Sequence, residues 1–265
     1  EGVLLPLQAV LEQSGDRIAR GVAVPSLPRD KAWHFVPEST LGSGSALTGG
    51  HVLGYVQETE SIQHRILTPP MTHGELLELA PVGDYTLDDV IGRVKLADGR
   101  IEKLHLFHRW PVRSARPFKR RDHAVAPLIT GQRILDTFYP LLKGGKAAIP
   151  GPFGAGKTML QQQIARWCNA EIVIYVGCGE RGNELTDVLE SMPELKDPHS
   201  GRPLMERTLL VANTSNMPVV AREASVYVGI TLAEYFRDQG LDVVMVADST
   251  SRWAEALREV SGRLG

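Results

Sequence analysis

Hydrophobic residues change their rhythm about halfway along the chain. From Gly42 to Ile101 the apolar runs are short and are broken by Gly42, Gly44, Gly49-Gly50, Gly54, Pro69-Pro70, Gly74, Gly83 and Asp98-Gly99. This punctuation predicts short β-strands, and Asp98-Gly99 between Val94-Lys95-Leu96 and Ile101-Glu102-Lys103-Leu104 predicts a two-residue hairpin. Beyond Pro127, strand-like runs alternate with helical periodicity. Residues 146–150 read as a short strand feeding a glycine loop, 159–167 as a helix, 171–176 as a β-branched strand and 183–191 as a helix. A third strand is expected at 207–212. Pro218 suits the first turn of a long helix reaching about Gln239, with Ala221, Ala224, Ser225, Val228, Leu232 and Tyr235 on one face and Gly240 as its C-terminal stop. Residues 241–247 form a fourth strand ending in Asp248. Such alternation implies a parallel sheet with helices on both faces and ligand chemistry at the carboxyl ends of its strands.

Composition changes this picture little. A chain of 265 residues with 43% hydrophobic and 23% charged side chains folds, and disorder or fibrous structure is excluded. No apolar run approaches the roughly 20 residues that cross a bilayer, so any membrane association is expected to be indirect. Opening at Glu1 without a basic-then-apolar leader and stopping at Gly265 beyond a helical stretch, the sequence reads as a fragment or a processed chain. Lysine plus arginine number 29 against 31 acids, a net of −2, which argues against a general polyanion binder and predicts no nucleic-acid partner. One local run, residues 109–121, holds six basic residues with Trp110 and Phe118. It could touch RNA, but its two prolines fit a solvated connector better. Cys168 and Cys178 suggest neither a disulfide framework nor a zinc site, as in a reducing compartment. His34, His51, His64, His73, His105 and His108 have no repeated metal-ligand spacing.

The chemistry concentrates in the second half. Gly151-Pro152-Phe153-Gly154-Ala155-Gly156-Lys157-Thr158 satisfies the phosphate-loop pattern G-x-x-x-x-G-K-[ST]. There the glycines let successive N–H groups curl around a β-phosphate, the helix N-terminus adds positive charge, Lys157 neutralises β/γ oxygens and Thr158 offers a hydroxyl to magnesium. A glycine-rich turn with an exposed lysine is the plain alternative. Val243 to Val246, Ala247 and Asp248 supply the apolar strand that delivers a second magnesium anchor, Asp248, to the same rim. Hydrolysis also needs a group to polarise water. Ser249 follows Asp248, so that carboxylate must come from another strand, and Glu180 in Gly177-Cys178-Gly179-Glu180-Arg181-Gly182-Asn183-Glu184 is the candidate. Glu180 and Arg181 read alternatively as a solvated loop ion pair, and Glu184 as an acid at a helix start or a group behind Glu180.

These motifs, together with Asn213-Thr214-Ser215-Asn216-Met217-Pro218, Glu234-Tyr235-Phe236-Arg237-Asp238 and Ala247-Asp248-Ser249-Thr250-Ser251-Arg252-Trp253-Ala254-Glu255-Ala256, resemble the catalytic A subunits of the archaeal/vacuolar-type rotary ATPases. They resemble F-type β subunits more distantly. Trp33-His34-Phe35, residues 49–58 and Arg109-Trp110-Pro111-Val112-Arg113 look like the insertion that F-type β subunits lack. The resemblance implies a P-loop NTPase (RecA-like) α/β fold preceded by a smaller, mostly β insertion domain, lacking the family's N-terminal barrel and C-terminal helical domain. It implies ATP/ADP and Mg2+ as ligands. By that resemblance Lys157 and Thr158 are expected to bind phosphate and magnesium, Glu180 to activate water, Arg181 to contact the γ-phosphate region and Asp248 to serve the metal. It further implies an alternating A3B3 ring in which the neighbouring B subunits supply an arginine finger in trans, central stalk and peripheral stator partners, and a peripheral place on the cytoplasmic face of a membrane.

The expected organisation is a lead-in segment over 1–29 packed in part on the nucleotide domain, a β-rich insertion over 30–110, a connector over 111–126 and a truncated P-loop domain over 127–265. Other hexameric P-loop motors, a Rho-like RNA translocase or a secretion ATPase, would share the core but do not account for the preceding β domain. A nucleotide-binding assembly module without turnover would tolerate a degraded P-loop or the loss of Glu180, and both are intact.

Overall fold

Alternating burial along short strands builds the first half of the protein. The computed structural model describes residues 6–15, 21–60, 62–123, 125–152 and 154–264, and the chain divides into two units, Glu1–Pro117 and Phe118–Gly265. After a short helix α1 (Leu7–Ser14), the described residues of the first unit form two antiparallel sheets of four strands each. One runs β4 (Gln63–Leu67), β3 (Val52–Gln57), β1 (Trp33–Pro37), β6 (Gly83–Tyr85). The other runs β2 (Ala46–Leu47), β5 (Gly74–Leu79), β7 (Gly92–Leu96), β8 (Ile101–Leu104). Phe35, Leu53, Val56, Leu76, Val94 and Leu104, drawn from both sheets, share one core, each contributing about 1.5–3 kcal/mol by burial. The expected hairpin joins β7 to β8, where Gly99 sits at φ +85° and its N–H donates to the Leu96 carbonyl at 2.9 Å.

The second unit opens with β9 (Pro127–Leu128) and β10 (Leu141–Leu142), an antiparallel pair joined through α2 (Arg133–Phe138). It continues through α3 (Lys157–Trp167), β11 (Ile172–Glu180), α4 (Gly182–Glu194), β12 (Thr208–Thr214), α5 (Val219–Asp238), β13 (Val243–Asp248) and α6 (Thr250–Leu264). The sheet is parallel in the order β12-β11-β13. Its central strand β11 is buried throughout except at Glu180, which explains its nearly continuous apolar run. Val173 and Tyr175 of this strand pack with Ile164 of α3 and Val188 and Met192 of α4. Val176, of opposite parity, lies against Gly229 of α5, where a Cβ would stand 2.5 Å from its Cγ2. Period-two alternation on one strand thus places helices on both faces of the sheet. Among the described residues no helix is long and apolar enough to cross a membrane.

Several boundaries differ from the sequence expectation. Residues 146–150 form no strand; Lys146, Ala147 and Ala148 are exposed and the segment runs irregularly into the glycine loop. An apolar run becomes a strand only when a neighbour accepts its ladder, and among the described residues no strand pairs with this segment. β11 extends past the expected end at Val176 to Glu180. Helix α3 starts at Lys157, two residues ahead of the periodic stretch. Pro218 is the N-cap of α5. The buried residues of α5 are Ala221, Glu223, Ala224, Ser225, Val226 and Gly229, so Val228, Leu232 and Tyr235 are only half-buried.

Candidate functional site

Three strand and helix ends converge where the sheet's carboxyl edge meets the start of α3. The loop before α3 takes left-handed turns at Gly154 (φ +78°) and Gly156 (φ +81°), conformations that a Cβ disfavours. Within it the Ala155 N–H donates to the Pro152 carbonyl at 3.3 Å, and the Lys157 ammonium donates to the carbonyls of Gly151 and Pro152, each at 2.7 Å. Phe153 lies outside the described residues. Thr158 is the second residue of α3, and its hydroxyl donates to Asp248 Oδ2 at 2.5 Å. That contact joins residues 90 positions apart. It arises because β13 runs parallel to β11 with Asp248 opposite Gly177, which delivers the carboxylate to the strand end. Asp248 is 3% exposed.

Glu180 stands at the end of the adjacent strand. The ladder between β11 and β12 shifts register between Cys178 and Glu180, making Gly179 an extra residue at φ +68°. A bulge of this kind bends a strand end and re-aims the next side chain. The turned carboxyl is half-buried. Burial first, then a hydrogen bond with Glu184 and the negative charges of Asp248 and Glu184, push it up to about 8, with the Arg252 guanidinium acting in the opposite sense. Burial and the same three acids also push the Tyr175 hydroxyl up. Arg181 is the exposed N-cap of α4. Thr158 and Asp248 therefore meet directly and Glu180 senses Asp248, while Lys157 is turned toward its own loop and Arg181 lies on the exposed start of α4.

Two arginines at this edge were not singled out by sequence. A Cβ on Gly179 would stand 3.0 Å from Arg222 Cδ and 3.2 Å from Arg252 Cβ, so α5 and α6 both crowd the bulge. Arg222 donates to the Ser215 carbonyl at 2.9 Å. The available signal was positional: Arg252 falls in the first turn of the helix after Asp248, and Arg222 in the first turn after Pro218.

A hydroxyl and a carboxylate in contact are hard oxygen donors, the set that magnesium takes from a protein while phosphates and waters fill its remaining positions. Among the described residues there is no cluster of three or more His, Cys, Asp or Glu that could hold a metal ion.

Residues 131–265 match the nucleotide-binding domain of the ATP synthase alpha/beta family, and residues 24–113 match the barrel-sandwich domain of ATP synthase alpha/beta subunits. The chain belongs to the ATP synthase alpha/beta family. Within this family it is 69% identical over its whole length to a V-type ATP synthase alpha chain of Nitrosococcus oceani. It is 62% and 61% identical to A-type ATP synthase subunits A of a Desulfurococcus species and of Thermococcus kodakarensis. In each case it spans 45% of the relative's length. Among solved structures, a prototypical ATPase from the type III secretion system of pathogenic bacteria superposes with a TM-score of 0.53 at 30% identity, over 66% of this chain and 48% of that one. The family's nucleotide-binding domain thus carries the glycine loop, Glu180 and Asp248 together.

Proposed function

We propose that the chain is part of the catalytic A subunit of a rotary ATP synthase or ATPase, with a RecA-like nucleotide domain that hydrolyses or makes Mg-ATP in a complex coupled to ion translocation. The observation that carries this reading is the Thr158–Asp248 contact, which brings the glycine loop and the strand-end carboxylate to one point, with Glu180 on the neighbouring strand. The loop amides and Lys157 hold the β- and γ-phosphates. Thr158 and Asp248 hold magnesium, which supplies charge neutralisation of the phosphates when bound. Glu180 orients water and accepts its proton, and Arg181 contacts the γ-phosphate region. The proposed partners are B subunits alternating with A in an A3B3 ring and giving an arginine finger in trans, together with central and peripheral stalk subunits, all on the cytoplasmic face of a membrane. The barrel-sandwich match over residues 24–113 and the 69% identity to a V-type relative favour this reading over the secretion ATPase that shares 30% identity. By the same reading, residues 30–110 form a separate lobe that contacts stator or neighbouring subunits.

The test separates binding from chemistry in the full-length subunit assembled into its complex. Lys157→Ala should abolish nucleotide binding and turnover together. Glu180→Gln should keep nucleotide binding and lower turnover by roughly 10² or more, the usual cost of losing a proton-accepting group. Near-normal turnover of Glu180→Gln would refute the assignment of the base.

A further inference from the structure

We propose that Asn213 is a positioning residue for Glu180: its buried side-chain amide clamps the bulge at Gly179 and so fixes where the Glu180 carboxylate points. The inference rests on the proposed role of Glu180 and goes beyond it by naming what holds that group.

A bulge leaves its extra residue without a ladder partner. Gly179 is that residue, lying between the paired positions Cys178↔Asn213 and Glu180↔Thr214. Its N–H donates instead to Asn213 Oδ1, at 3.2 Å, in a buried setting. Asn213 is fully buried at 0% exposure, and its Nδ2 donates to Met217 Sδ at 3.4 Å, which fixes which end of the amide faces Gly179. On the other side of the bulge, the Ser215 N–H donates to the Glu180 carbonyl at 2.9 Å, and Arg222 holds the Ser215 carbonyl. Glu180 is therefore gripped through the amide before it and through its own carbonyl. Without Asn213 the Gly179 N–H becomes a buried orphan donor, and the strand end relaxes toward whatever register satisfies it. A base displaced by about 1 Å can lose two orders of magnitude in rate without losing substrate affinity.

Two measurements on Asn213→Ala and on Asn213→Ser, whose hydroxyl is too short to reach Gly179 but keeps the buried site polar, test the proposal. In this chain, amide hydrogen exchange over the segment containing Gly179 should accelerate at least tenfold in whichever variants fold. In the full-length subunit within its complex, kcat should fall about 10- to 100-fold while KM for Mg-ATP stays within about twofold. Unchanged exchange would show that Asn213 does not hold the bulge. Accelerated exchange with unchanged kcat, or a loss expressed in KM alone, would show that the clamp does not position the base. Either result overturns the proposal. Glu180→Gln in the same assay keeps the two readings apart: if it retains turnover, the role of Glu180 itself fails, whereas an inactive Glu180→Gln beside a fully active Asn213→Ala sinks the clamp alone.

Discussion

Glu184→Gln should move the acidic limb of the pH–rate profile to lower pH. Glu180 sits at about 8 instead of 4.5, and after burial the causes of that rise are the hydrogen bond with Glu184 and the charges of Asp248 and Glu184. A glutamine at 184 removes one negative charge and replaces a competing carboxyl with an amide whose N–H groups donate to the Glu180 carboxylate. Both changes favour the ionised form. Burial and Asp248 remain, so the fall should be partial, about one pH unit, at the low end of what a single charged or hydrogen-bonded neighbour does. A base must be ionised to accept a proton, and kcat/KM reports the free enzyme. With a group titrating near 8, only about 1% is ionised near pH 6, and a fall of one unit raises that fraction about tenfold. The predicted outcome is therefore a roughly tenfold higher kcat/KM for Mg-ATP near pH 6 in Glu184→Gln, converging with the wild type above about pH 9. Glu184 also lies in the first turn of α4, where losing its charge costs about 0.3–1 kcal/mol of helix stability, too little to unfold the unit. An unchanged limb, or one displaced to higher pH, would refute the coupling.

Two other outcomes are expected. Asp248→Asn should weaken the magnesium dependence of ADP binding more than it weakens metal-free binding, as read by calorimetric titration with and without EDTA; equal dependence in both proteins removes Asp248 from the metal site. Gly54→Ala should destabilise the first unit by about 1–3 kcal/mol, because its Cβ would stand 2.4 Å from Phe35 Cε2 and 2.5 Å from the Val36 carbonyl oxygen; urea unfolding followed by hydrogen exchange should show that loss in residues 33–104 and leave the Thr158–Asp248 region unaffected.

Much of the fold was legible because it is local. Asp98-Gly99 carries its turn in two residues, and the β-branched run beginning at Ile172 declares a buried strand. The glycine loop and Asp248 were legible for the same reason: each is a short pattern beside a periodic element. Residues 146–150 misled because strand identity there depends on a distant neighbour, which the apolar pattern does not encode. Pro218 was placed one step too far into α5, since a proline fits both the cap and the first turn. Arg222, Arg252 and the Asn213 amide converge on Gly179 from α5, α6 and β12, and nothing in the spacing of positions 179, 213, 222 and 252 announces that they meet. The raised Glu180 carboxyl likewise depends on acids from α4 and β13.

The Lys157 ammonium already bonds two carbonyl oxygens of its own loop. The ammonium has three N–H donors, so under the proposed role of Lys157 a phosphate that draws more than one of them exchanges partners with Gly151 or Pro152, and part of the lysine's gain is offset by loop oxygens released to water or to a reshaped loop. The affinity expected of such an exchange is a difference between two sets of bonds, smaller than a tally of contacts in a bound state would suggest. The reverse trade is equally available: when the anion departs, the carbonyls recapture the ammonium and no bare charge is left behind. Under the proposed role, release of product would leave Lys157 with two hydrogen bonds to its own loop in place.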